Sequence, residues 1–127
     1  MTILLSAALA VLAQGPAATV PASDAPYDVG YEELLAHRDG AARAAIEACD
    51  ELAADDPARL INHGVALART GDYEAARAAF TAAADARSSV ELETAGGEWV
   101  DSRHLARKGL AMLDRGEFSR YYALSLR

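Results

Sequence analysis

A short alanine-rich segment of this chain occurs twice with almost the same sequence. Residues 41–46 read AARAAI and residues 75–80 read AARAAF, a spacing of 34. A longer match joins residues 59–73, RLINHGVALARTGDY, to residues 104–118, HLARKGLAMLDRGEF, at a spacing of 45, which is 34 plus an insertion of 11. The chain has 31 alanines, but this second match also repeats leucine and glycine positions. One unit therefore occurs, in parts, three times, and such units bury their apolar faces by stacking on one another.

The repeated unit has the pattern of a helical hairpin. Leu60, Gly64 and Leu67 fall at i, i+4 and i+7, which places them on one face of a helix. Gly71 follows that face, where a left-handed residue ends a helix. Asp72 comes next, and its carboxylate is suited to cap a second helix. The pattern therefore predicts two helices joined at residues 71–72.

The second helix of the unit carries a packing face. Tyr73, Ala76, Phe80 and Ala83 are spaced so that they share one side of a helix. Gly64 and Ala76 lack bulk, so the two helices are expected to approach closely, with Phe80 filling the space that remains. The AARAAF segment is therefore a packing surface.

This unit resembles the tetratricopeptide repeat, a helix–turn–helix of about 34 residues with small and large residues at fixed places. Residues 57–90 carry the resemblance best, through Leu60, Gly64, Leu67, Gly71, Asp72, Tyr73, Ala76, Phe80 and Ala83. The resemblance implies an all-α fold over residues 29–127, a short solenoid of about two and a half repeats. It also implies that the first helices of the units line a concave groove for a peptide or a partner helix.

The flanking units are less regular. In the first, Ala42, Ile46 and Cys49 precede Ala76, Phe80 and Ala83 by one repeat length, so Cys49 is expected to be a small buried residue. Its first helix, YEELLAHR, is short, and its turn is expected at Asp39–Gly40. The second helix of the third unit, FSRYYALSLR, has Tyr121 in the place of Ala76, where it is expected to close the open end of the stack.

The insertion between the second and third units reads SSVELETAGGEWVDSR. Its apolar residues alternate with glutamates before a glycine-containing turn, which predicts a small β-hairpin near residues 89–101. We expect Trp99 to anchor this hairpin against the helices, and Asp101 with Ser102 to cap the helix that begins near Arg103. Two roles stay open for the hairpin: a packed element that fixes the angle between repeats, or a lip beside the groove.

The N-terminal residues have a composition of their own. Residues 3–13 are apolar or small, too short a run to span a bilayer as a helix, and their length suits the apolar region of a signal peptide. We therefore predict a signal peptide over residues 1–13 and a disordered linker over residues 14–28, with no stable membrane span. This predicts an exported bacterial protein, periplasmic or secreted. If the segment is an uncleaved start, the protein is expected in the cytoplasm.

Charge and motifs limit the classes of function. The net charge is −7 and the pI is about 4.8, which argues against nucleic acid as the main partner. Residues 24–101 sum to −11 and residues 102–127 to +4, so an acidic body precedes a basic end. The three histidines, His37, His63 and His104, lack the spacing of a metal site, and no phosphate-binding or nucleophile motif is present. We predict no enzyme activity, no metal and no cofactor.

The resemblance to the tetratricopeptide repeat implies which residues of this sequence line the groove. They are Ile61, Asn62, Val65 and Arg69 in the second unit, and Arg103, Ala106, Arg107 and Leu110 in the third. An apolar floor with arginines is suited to a partner peptide or helix of acidic character. Two alternatives stay open: these are ordinary solvated helix positions, or the chain is a structural subunit that forms a homo-oligomer through the ends of its solenoid.

Overall fold

The computed structural model of the protein describes residues 19–21 and 30–120. The predicted signal peptide and the segment with Tyr121 lie outside the described residues, as does the predicted linker apart from residues 19–21. The described chain is mostly helical, with a small sheet. The helices are α1 (Tyr31–Leu35), α2 (Asp39–Ala48), α3 (Pro57–Arg69), α4 (Tyr73–Ala84) and α5 (Ser102–Asp114). Residues 117–120 are also helical. The strands are β1 (Thr19–Pro21), β2 (Glu91–Thr94) and β3 (Trp99–Asp101).

The central helical hairpin, α3 and α4, is confirmed in its details. Gly71 has φ 88°, and its N–H donates to Ala68 O at 3.1 Å, while the N–H of Asp72 donates to Leu67 O at 2.9 Å. These two bonds satisfy carbonyls at the end of α3 in the pattern that a left-handed glycine permits. The carboxylate of Asp72 then accepts from the N–H of Ala75 at 3.3 Å and caps α4. Local sequence alone therefore specifies where one helix ends and the next begins.

Phe80 lies where three helices meet. A Cβ built at Gly64 would stand 2.7 Å from Phe80 Cε1, so α3 approaches α4 as closely as a glycine allows. Gly109 brings α5 to the same ring atom at the same distance. Phe80 is buried and stacks on Phe118, with 6.2 Å between ring centroids. The expected packing role of Phe80 is confirmed, whereas Tyr73, predicted on the same face, is exposed.

The first helical pair has a different turn from the one predicted. Asp39 and Gly40 are the first residues of α2, not a turn. The chain reverses at His37 instead, which has φ 55° in the left-handed region. Ile46 is buried and packs so closely on Gly30 that a Cβ there would lie 2.9 Å from it. Cys49 is buried, as predicted.

The insertion forms the predicted hairpin, and a third strand joins it. Strands β2 and β3 pair antiparallel, with Leu92 opposite Val100 and Glu93 opposite Trp99. Strand β1 pairs antiparallel with the other edge of β2, so the sheet order is β1-β2-β3. Sequence reasoning did not predict β1, because a three-residue strand within a proline-containing segment has no periodicity to detect.

The hairpin is anchored by Leu92, and the prediction that Trp99 anchors it is wrong. Leu92 is 1% exposed and belongs to the core, whereas Trp99 is 53% exposed. Side chains alternate along a strand, so the register that turns Leu92 inward turns Glu93 and its cross-strand neighbour Trp99 outward. The predicted cap of α5 is confirmed, since the Asp101 carboxylate accepts from the N–H of Arg103 at 2.8 Å and of His104 at 3.2 Å.

None of the helices within residues 30–120 combines the length and the apolar character that crossing a bilayer requires. The core instead runs through the middle of the helical layer, where α3 contacts α2, α4 and α5. Strand β1 also contacts α3, so the sheet lies beside the helix that was expected to line the groove. Helix α3 is therefore contacted by strand β1 as well as by three helices.

Candidate functional site

Helix α3 supplies four of the predicted groove residues, and all four are buried. They are Ile61, Asn62, Val65 and Arg69. Their burial follows from the position of α3, which contacts helices α2, α4 and α5 and strand β1. These side chains belong to the interior of the described structure, where at most 5% of each residue is exposed.

Arg69 illustrates the difference between the predicted and the observed surroundings. Its Nη1 donates to the carbonyl oxygen of Leu34 at 3.0 Å and to Asp39 Oδ1 at 3.2 Å. Both partners are in the first helical pair, so the guanidinium connects the end of α3 to the end of α1 and the start of α2. Its charge is satisfied inside the protein and is not available to the carboxylate of a partner.

Helix α5 presents the remaining predicted residues. Arg103, Arg107 and Leu110 fall at i, i+4 and i+7, so they share one face, which we call the α5 face. Arg107 is exposed and Leu110 is half-buried against the core, whereas Ala106 is buried. The salt bridges among the described residues do not include Arg107. The α5 face therefore keeps an accessible cation beside apolar surface.

Arg103 is partly held by the start of its own helix. Its Nη2 donates to Ser89 Oγ at 3.2 Å, and its Nε lies 4.0 Å from Asp101 Oδ1. The pKa of Asp101 lies below its ordinary value because the Ser89 hydroxyl donates to it, with further contributions from the N–H groups of His104 and Arg103 and the charge of Arg103. This cluster orients Arg103 while its side chain stays about two-fifths exposed, at 38%.

A second accessible surface is the outer side of the sheet, which sequence reasoning missed. Glu91, Glu93 and Trp99 lie on the side opposite to the buried Leu92, and we call them the outer sheet face. The sequence contains a signal for this face. Counting residue pairs outward from the glycine turn places Trp99 opposite Glu93, on the side away from Leu92. The face combines an exposed indole with two carboxylates.

The half-buried Tyr31 of α1 lies close to this sheet. The pKa of Tyr31 is raised, first by burial and then by the negative charges of Glu93 and Glu32. A raised pKa means that the protonated, uncharged phenol is favoured. The charge of Glu93 in the middle strand therefore acts on a side chain of the first helical pair.

An apolar cleft opens between α3, α4 and α5. It is lined by Ile61, Val65, Phe80, Leu105, Lys108, Gly109, Met112 and Phe118. Among these lining residues only Lys108 has a titratable side chain. The cleft therefore offers an apolar packing surface and lacks a pair of groups for acid–base chemistry.

The histidine of α3, His63, lies beside a carboxylate of α2. His63 Nε2 lies 3.1 Å from Glu47 Oε1, and the pKa of Glu47 is lowered first by its hydrogen bond from Arg43 and then by His63. Among residues 19–21 and 30–120 no group of three or more histidine, cysteine, aspartate or glutamate side chains could hold a metal ion. The polar clusters that are present orient surface side chains.

Comparison with protein-family models, with curated proteins and with solved structures found no match to this chain.

Proposed function

We propose that the protein is a non-catalytic protein–protein interaction module, built as a short tetratricopeptide-like stack of helical hairpins. The observation that supports this most directly is the position of Phe80 against Gly64 and Gly109. These glycines occupy matching places in two units, and a Cβ on either would meet the same three atoms of the ring. Helix α4 thus meets the helix before it and the helix after it through equivalent close contacts, as stacked repeats do.

The α5 face is the surface that we propose for the partner. Arg107 is exposed and Arg103 is oriented by Ser89 and Asp101, so two guanidinium groups stand one turn apart beside Leu110. A guanidinium binds a carboxylate through two parallel hydrogen bonds, which a lysine ammonium does not reproduce. The partner that fits is a peptide or helix with acidic residues next to an apolar one.

Peptide selection tests this proposal. A display library panned against the full chain is expected to enrich sequences with aspartate or glutamate. Binding of a selected peptide is expected to fall about tenfold or more in Arg107→Glu, because reversing a charge in an interface costs about 1–2 kcal/mol or more. The matched control is Arg87→Glu, which reverses the charge of an exposed arginine in the loop after α4 and is expected to bind normally.

Two results would count against the proposal. One is a selection without acidic enrichment, and the other is equal binding by the Arg107→Glu and Arg87→Glu variants. Sedimentation at low and high salt gives an independent check. A salt-dependent oligomer that dissociates in Arg107→Glu would make the α5 face a contact between copies of this chain rather than a site for an acidic peptide.

A further inference from the structure

The middle strand of the sheet, β2, has two edges that are filled in different ways. One edge pairs with β3, its own hairpin partner in the sequence. The other edge pairs with β1, a three-residue segment that is distant in the sequence and contacts α3 as well. A strand edge presents backbone donors and acceptors to any extended chain that can reach it. The edge facing β1 is therefore filled by a segment that is not part of the hairpin.

The direction of the backbone groups of β2 follows from two hydrogen bonds. Thr94 N donates to Glu98 O at 2.8 Å, and Ser102 N donates to Val90 O at 2.9 Å, so the backbone groups of Val90 and Thr94 point towards β3. Backbone N–H and C=O groups point to alternate sides along an antiparallel strand. The backbone groups of Glu91 and Glu93 therefore point towards β1.

The register of β1 agrees with this alternation. Val20 stands opposite Glu93, the position at which two strands exchange N–H···O bonds. Pro21 stands opposite Leu92, whose backbone groups point to β3, so the missing N–H of the proline removes no bond there. Strand β1 is thus joined to β2 by one hydrogen-bonded pair among its three described pairs, which is a small contact for a strand.

The side chains of β2 define what an occupant of this edge requires. Leu92 and Thr94 are buried, so the residues beside them must be small enough to lie over the core. Glu93 points to the outer side of the sheet, where a residue on the neighbouring strand stands directly opposite it. A lysine or arginine opposite Glu93 would form a cross-strand ion pair, and the residue of this chain at that register position is Val20.

We propose that the edge of β2 is a docking site for an extended peptide strand of a partner, which carries lysine or arginine opposite Glu93. Thr19–Pro21 occupies this edge when the partner is absent, and the partner replaces it. The site is separate from the α5 face. It is proposed for a basic peptide, whereas the α5 face is proposed for an acidic one, so an experiment can contradict either proposal and leave the other standing.

The first test removes the hydrogen-bonded pair of β1 in the full chain. Val20→Pro deletes the N–H that faces Glu93, and the matched control Thr19→Pro places the same residue at a pair without that bond. The probes are fluorescein-labelled peptides of residues 17–23, AATVPAS, and the same peptide with Val20→Lys, read by fluorescence anisotropy. If β1 covers nine-tenths of the wild-type molecules, freeing the edge raises the apparent affinity about tenfold.

The expected order of affinity is Val20→Pro above wild type and Thr19→Pro, and the lysine peptide above the valine peptide. Glu93→Gln in the Val20→Pro background is expected to remove the preference for lysine. Equal affinities of the Val20→Pro and Thr19→Pro variants, or a lysine preference that survives Glu93→Gln, would overturn the proposal. Circular dichroism of each variant checks that the helices are retained.

A second test locks the strand in place. Thr19 and Thr94 form a pair without mutual hydrogen bonds, the geometry in which Cα atoms are closest across two antiparallel strands. Thr19→Cys with Thr94→Cys, in a Cys49→Ala background, is expected to form a disulfide that abolishes binding of the lysine peptide, and reduction is expected to restore it. Binding that is the same before and after reduction contradicts replacement of β1.

Discussion

Gly109 lies against the ring of Phe80 so closely that a Cβ on residue 109 would stand 2.7 Å from the ring carbon Cε1. Gly64 makes the same approach from α3. One aromatic side chain therefore sets the spacing of three helices, and the stability of the stack depends on two positions having no side chain.

Gly109→Ala is expected to destabilise the protein by about 1–3 kcal/mol, because the added methyl group overpacks a filled contact. Gly40→Ala is the matched control, since a Cβ there would meet nothing within 4 Å and the residue is helical. That variant is expected to be neutral or stabilised by about 0.5–1 kcal/mol. Urea unfolding of both variants measures the difference, and equal midpoints would contradict the packing role of Phe80.

Arg69→Ala is expected to lower the free energy of unfolding by about 3 kcal/mol, because it leaves the mostly buried carboxylate of Asp39 without its cation. The control is Arg77→Ala, which breaks an exposed pair with Asp114 and is expected to cost less than about 1 kcal/mol. Guanidinium unfolding compares them. If the Arg69→Ala variant were as stable as the wild type, Arg69 would not be a stabilising connection between the first pair of helices and α3.

Leu92→Ala is expected to destabilise the protein by about 2–4 kcal/mol, because it removes a fully buried side chain of the core. Trp99→Ala is expected to change stability by less than about 0.5 kcal/mol, since the indole is largely in solvent. Thermal unfolding measures both. If Trp99→Ala lowered the stability more than Leu92→Ala, the tryptophan would be the anchor of the hairpin after all.

The cap of α5 is expected to depend on pH. The folded pKa of Asp101 lies below its ordinary value of 3.8, so its contribution to stability is present above that value and is lost as the pH falls through the folded pKa. Asp101→Asn retains a capping side chain but does not titrate. The difference in unfolding free energy between wild type and this variant is therefore expected to shrink on acidification from pH 7 to pH 3. If the difference in unfolding free energy stayed the same between pH 7 and pH 3, the charge of the Asp101 carboxylate would not be the source of the stability of the cap.

That Arg103, Arg107 and Leu110 share one side of a helix could be predicted, because they lie one and two turns apart on a single helix. The surroundings of Arg69 could not, because its ion-pair partner Asp39 lies in another helical pair. Trp99 shows an intermediate case. The alternation that predicts the hairpin also contains the outward position of the indole, which runs against the general tendency of large aromatic residues to be buried.

The sequence by itself determined the local elements of this protein: the end of α3 at Gly71, the caps at Asp72 and Asp101, and the small residues that let helices approach Phe80. Helix ends and caps depend on hydrogen bonds between residues a few positions apart, so their cause is contained in a short segment. Only the tertiary structure decided that Thr19–Pro21 pairs with β2 and that Ile61, Asn62, Val65 and Arg69 are buried. Strand pairing and burial depend on which distant segments meet, and no periodicity within one segment records that choice.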